Sequence, residues 1–171
     1  MEYFNEALAV ELESVGHPLL AEVYRECKGI PNVCFKRCDH VIVGMQRAKR
    51  DNVMRHVEDK RYAKFRTEYI SQVMFLYDTV KKQTLDKHHH CWGTSWIWYE
   101  HGKPVQPNGY HPDIDKTCAP GIHFFLTLEA ALCYDPEECS CFFSNDNGQC
   151  RFDVPPTLNR IARYTDFFPP M

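Results

Sequence analysis

The sequence predicts an α+β fold in which N-terminal helices pack against a small antiparallel, aromatic-rich β unit that carries a short strand-helix element. Three observations predict it. Apolar residues recur at helical spacing over the first 28 positions, and β-branched and aromatic residues concentrate from Tyr69 onward. Gly121-Ile-His-Phe-Phe125 is a short apolar run, and it leads directly into a segment headed by Thr127 that has helical composition.

In residues 2 to 28, Phe4, Leu8, Val10, Leu12 and Val15, then Leu19, Leu20, Val23 and Tyr24, fall near a helical period. Gly16-His17-Pro18 divides the run into two helices, and Gly29-Ile-Pro31 ends the second. The cysteine-bearing stretch 27 to 40 reads as a connection. Residues 41 to 64 place Val41, Ile42, Met45, Ala48, Val53, Val57 and Tyr62 on a rough helical stripe, so a third helix is expected there. The expected organisation is therefore a mainly helical segment over 1 to 64 and a β-rich domain over 65 to 171. In that second part, residues 69 to 80 form a buried strand, and residues 93 to 100 form another that ends in a turn at His101-Gly102-Lys103. Residues 103 to 120 are a loop rich in turn-forming residues. Residues 121 to 126 are a strand, Thr127 is a helix N-cap, and Asp135-Pro136 closes that helix. A last hairpin is expected over residues 141 to 154, around Asn145-Asp-Asn-Gly148, ahead of the tail at 167 to 171.

The composition fits one folded unit of ordinary size, since 44% of the 171 residues are hydrophobic and 13% aromatic. A formal charge of −3 argues against broad electrostatic adhesion to nucleic acid or an anionic membrane. The basic run from Arg47 to Lys64 is interrupted by Glu58 and Asp59, and reads as a solvated helix face. The N-terminus is acidic and carries no long apolar run, so no secretion signal and no membrane insertion are expected. Nine cysteines without framework spacing are expected to be thiols in a reducing compartment.

Several constellations have the inventory for chemistry. Cys27, Cys34, Cys38 and His40 supply four soft ligands within fourteen residues, so zinc is the cofactor this stretch allows, with packed thiols as the other reading. His88-His-His-Cys91 lies in extended sequence, where neighbours point to opposite faces, so two of these side chains at most share a site. Cys133, Cys139, Cys141 and Cys150 have Cys118 or His111 as further ligands. Cys91 and the adjacent histidines make a nucleophile and a base in composition only. Phosphate-cradling glycine motifs and the G-x-S-x-G and H-E-x-x-H motifs are absent. Within Gly121-Ile-His-Phe-Phe125, strand alternation puts Ile122, Phe124 and Leu126 on one face and His123 with Phe125 on the other, which makes His123 a structural histidine near the Trp-rich segment or the surface.

WGTSWIWYEHGKPVQPNGY, starting at Trp92, resembles one unit of the MORN-type glycine-aromatic hairpin repeats. CAPGIHFFLTLEAALCY, from Cys118 to Tyr134, is similar to an uncharacterised small domain found in proteins of marseillevirus-like and other large DNA viruses. That resemblance implies a viral protein of the host cytoplasm or the virion, with viral or host protein partners and a noncatalytic structural or capsid-associated role. A looser likeness to ADP-ribosyltransferases of the poly-ADP-ribose polymerase type implies a nucleotide cleft with His90, Thr94 and Tyr134 as contacts. Here His123 stands where that family has tyrosine, and two residues separate His90 from Gly93.

Overall fold

The computed structural model describes residues 1–48, 60–61, 63–92, 95–113 and 120–134, with the backbone alone at 91–92 and 95–96. Two helices open the chain, α1 (Glu6–Ser14) and α2 (Pro18–Glu26). Strands β1 (Val33–Cys38), β2 (Val41–Arg47), β3 (Lys64–Thr67), β4 (Ile70–Asp78), β5 (Gln83–Thr84), β6 (Lys87–Trp92), β7 (Ser95–Glu100) and β8 (Ile122–Phe125) follow, and then helix α3 (Leu128–Cys133). Six strands form one sheet in the order β3-β8-β1-β2-β4-β5, and every pairing in it is antiparallel. β6 and β7 pair only with each other.

The α+β class, with helices on an antiparallel aromatic-rich sheet and a short strand-helix element, is what the sequence predicts. The structure differs at residues 33 to 47. The connection and the start of a third helix are instead two paired strands, and residues 49 to 59 of that expected helix lie outside the described residues. The physical reason is local: Val41-Ile-Val43 is β-branched, which restricts side-chain rotamers in a helix and suits a pleated surface. Asp39 takes the left-handed conformation (φ 55°) that reverses the chain between the strands, and aspartate tolerates it better than most side chains. The sheet thus joins strands from both sides of residue 64. The hairpin expected over 141 to 154 and the tail lie outside the described residues.

The sheet is covered on both faces. Val33 and Phe35 of β1, Ile42 of β2, Phe75 and Tyr77 of β4 and Phe125 of β8 pack with α1, α2 and α3. Residues of opposite parity, among them Cys34, Cys38, Val41, Val43, Leu76, Ile122 and Phe124, pack with Ile97 and Tyr99 of β7 and with Val105. The helix layer is fastened by polar contacts as well as by burial. Asn5 caps α1 by accepting from the Ala7 and Leu8 amides, and its side-chain amide donates to Glu129 of α3 at 2.8 Å. His17 Nδ1 meets the Tyr77 hydroxyl at 2.8 Å, so the α1–α2 corner is tied to the sheet. Thr127 caps α3 as expected, accepting from the Ala130 amide while donating to the Arg61 carbonyl.

Gly44 fixes how β2 meets β4. The Phe75 ring lies over it, and a Cβ at this position would stand 2.2 Å from the ring's Cε1. The register shifts immediately afterwards, leaving Met74 unpaired between the Gly44↔Phe75 and Met45↔Val73 pairs. Gly44→Ala is therefore expected to lower stability by about 1–3 kcal/mol through overpacking. Gly109→Ala, where a Cβ would meet only ordinary contact at 3.5 Å, is expected to stay within about 0.5 kcal/mol of wild type. Urea unfolding of the two variants checks both.

Candidate functional site

The β6–β7 hairpin has two chemically different faces. Directly opposed residues of an antiparallel pair share a face, and the pairing sets His88 against Tyr99, His90 against Ile97, and His89 against Trp98. Ile97 and Tyr99 are buried in the core beneath the sheet, so His88 and His90 point inward with them. Lys87, His89, Trp98 and Glu100 belong to the other face, where Trp98 is 58% exposed. This matches the limit set by strand alternation: two of the four residues His88 to Cys91 can serve one site, and the structure selects His88 and His90.

Facing them on β1 is an alternating triplet. Cys34 and Cys38 are fully buried, and Lys36, between them in parity, turns the same way. Lys36 is half-buried as a residue, with its amine desolvated, and Nζ donates to the His123 carbonyl at 3.2 Å. Burial pushes its pKa down against the pull of the two neighbouring sulfurs. No carboxylate pairs with Lys36 among the described residues. The Cys38 thiol is itself pushed up by burial, to about 12, so it stays protonated and supplies no counter-charge.

Three polar atoms on the hairpin's inner face are buried without a hydrogen-bond partner: His88 Nε2, His90 Nδ1 and the Tyr99 hydroxyl. Each such atom costs about 1–3 kcal/mol of desolvation unless something satisfies it. Burial, with a smaller contribution from the Lys36 charge and against the pull of Asp39, lowers the His90 pKa to about 4. Burial likewise lowers His88 and raises Tyr99 well above the ordinary phenol range. At neutral pH the enclosed set thus consists of two neutral imidazoles, a phenol, a thiol and an amine whose charged form is disfavoured. Groups of this kind, desolvated together in one enclosure, make it a functional-site candidate.

The other residues singled out by the sequence are dispersed. Cys27 packs with the helix layer and donates to the Val23 carbonyl at 3.3 Å, whereas Cys34 and Cys38 lie beneath the opposite face of the sheet. His40 sits at the β1–β2 turn, 3.6 Å from the Asp78 carboxylate, and its ring meets that of His88 edge to face. The four expected zinc ligands are therefore split by the sheet, and no group of three metal-ligating side chains is gathered among the described residues. In the nucleotide set, Tyr134 packs on Phe125 on the helix side, while His90 faces Lys36 on the hairpin side. Thr94 lies outside the described residues, as do Cys118, Cys139, Cys141, Cys150 and the side chain of Cys91. Cys133 is buried in α3. Of the basic run, Arg47 lies over the Phe124 ring and Lys64 over Tyr134, so both ends turn inward. His123 shares the helix-side face with Phe125, away from the hairpin; Ile122 and Phe124 go the other way.

The family model for a family of unknown function, DUF5758, matches residues 23–131. The chain belongs to this family. No curated protein and no solved structure matches it. The DUF5758 match takes in all eight strands and each inward-facing group of the hairpin site, and it leaves out α1. No helix among the described residues is long and apolar enough to cross a membrane.

The depressed histidines give the site a pH signature. A histidine whose folded pKa lies below its unfolded value of about 6.5 contributes stability that is complete above pH 6.5 and is lost as pH falls toward the folded value. For His90 the window runs from 6.5 down to about 4. Because the ring is partly solvated, the loss attributable to it is on the order of 1 kcal/mol, well below the full shift. Urea midpoints measured across this window should fall in wild type and fall less steeply in His90→Gln.

Proposed function

We propose that this is a noncatalytic structural or interaction protein of a large DNA virus, a minor capsid or virion-associated component that meets a viral or host protein through the outward face of the β6–β7 hairpin. The observation that carries this reading is Trp98. Among the described side chains of the hairpin and sheet, the other large apolar ones are buried or half-buried, yet this indole is 58% exposed. It is also held in place: its ring stacks on His89 with centroids 4.5 Å apart and planes at 24°, and Lys87 Nζ lies 5.6 Å from its centroid. An indole fixed on a strand loses little conformational entropy on binding, and tryptophan is among the residues that anchor protein interfaces. The chain's net charge of −3 supports a protein partner over nucleic acid.

The viral setting comes from the likeness of the Cys118 to Tyr134 stretch to domains of marseillevirus-like and other large DNA viruses, together with the MORN-like composition of the hairpin. Quantitative mass spectrometry of purified particles and of infected-cell cytosol tests it. Enrichment with the particles is the expected result, and recovery from cytosol alone would remove the virion role. Trp98→Ala is expected to reduce co-purification with capsid proteins about tenfold or more while leaving the melting temperature within a few degrees of wild type. Unchanged co-purification would remove the hairpin face as the contact.

A further inference from the structure

The interior between β1 and the hairpin contains groups that the interaction role does not use. Lys36 is the only described residue on the inward face of β1 with a nucleophilic amine, and it is flanked in parity by Cys34 and Cys38. The hairpin brings His90 and Tyr99 over the same face, each with a buried polar atom that has no hydrogen-bond partner among the described residues. Tyr99 is fully buried, so no solvent reaches its hydroxyl from outside the site. Lys36, His88 and His90 are only half-buried as residues, so the enclosure lies close to the molecular surface.

We propose that Lys36 is a reactive amine that condenses with a small aldehyde or ketone held between β1 and the β6–β7 hairpin, with the Tyr99 hydroxyl and the His90 ring as its polar partners. The step balances without any further reactant. The nitrogen lone pair of the neutral amine adds to the carbonyl carbon, opening the C=O π bond to give a carbinolamine. The nitrogen then forms the C=N bond as the C–O bond breaks. The two hydrogens of the amine leave with the oxygen as water. Tyr99 stands as a hydrogen-bond donor for the carbonyl oxygen, and His90 as a neutral ring able to accept and return the proton moved between nitrogen and oxygen.

Three features favour this chemistry over thiol addition or simple anion binding. Lysine amines become nucleophilic when desolvation disfavours the ammonium, and Lys36 is desolvated with no carboxylate paired to it among the described residues. The thiol shift runs the wrong way for thiolate chemistry: burial pushes Cys38 up to about 12. A bound anion would meet an amine that the site disfavours as a cation. The other groups facing Lys36 are Cys34 and Cys38 on its own strand, the His123 carbonyl of β8, and His88, His90 and Tyr99 of the hairpin; Asp39 stands at the exposed turn.

The test uses the full chain, acetaldehyde as the probe and cyanoborohydride to fix any imine as an ethylamine, with peptide mass mapping at limiting aldehyde. The expected result at pH 7 is that Lys36 is alkylated at least tenfold faster than the exposed Lys103. Lys36→Met is expected to abolish the fast-labelled site. Tyr99→Phe is expected to slow Lys36 labelling several-fold while circular dichroism stays native. Labelling of wild-type Lys36 no faster than Lys103 overturns the proposal, and this arm needs no variant to fold.

Discussion

Strand β1 is the element on which every layer of the molecule depends. It lies between β8 and β2, so it holds the two halves of the six-stranded sheet together, and its side chains alternate between two cores. Val33 and Phe35 bind the helices, and Phe35 meets Tyr24 of α2 and Phe75 of β4 ring to ring. Cys34, Lys36 and Cys38 look the other way, toward the hairpin. A one-residue slip of this strand would exchange the two sets, placing Phe35 among the polar hairpin groups and Lys36 against the helices. The pairing register is thus what separates a conventional apolar core from an enclosed polar one.

The same strand explains which parts of the fold were legible. Helices α1 and α2, with their break at Gly16-His17-Pro18, follow from apolar spacing and a proline at the start of α2, and Thr127 caps α3 because its hydroxyl is placed to accept from Ala130. β4 and β7 are marked by dense β-branched and aromatic residues. β1 and β2 are not, because Val-Cys-Phe-Lys-Arg-Cys mixes charge with apolar residues, and Val41, Ile42 and Met45 of β2 also fit a helical stripe. The β-branched start of β2 was the available signal, and pairing to β1 and β4 decided it.

The site was hidden for a related reason. Cysteine and histidine spacing drew attention to Cys27, Cys34, Cys38 and His40, yet spacing along a chain says nothing about which face of a sheet a side chain reaches. Once residues 33 to 38 are a strand, Cys34-x-Lys36-x-Cys38 becomes one face by its period of two, and Lys36 emerges as the unusual member. His88 and His90 were legible as a pair sharing a face. Their opposition to β1 was not, since it rests on how the separate hairpin docks beneath the sheet, through Gly102 donating to the Val73 carbonyl and the Ile70–Val105 bridge.

The hairpin accordingly presents two different faces: a fixed indole outward, and a desolvated set of nitrogen and oxygen groups inward, toward the thiols of β1. Both depend on its being seated against β1, and Lys36 reports that seating directly. Side-chain NMR of selectively labelled lysine, followed through a pH titration, measures it. A Lys36 midpoint below the ordinary lysine value of about 10.4 is the result expected of an amine enclosed beneath the hairpin. A midpoint at the ordinary value would mean that water reaches the amine, and that the inner face of the hairpin is not closed over β1.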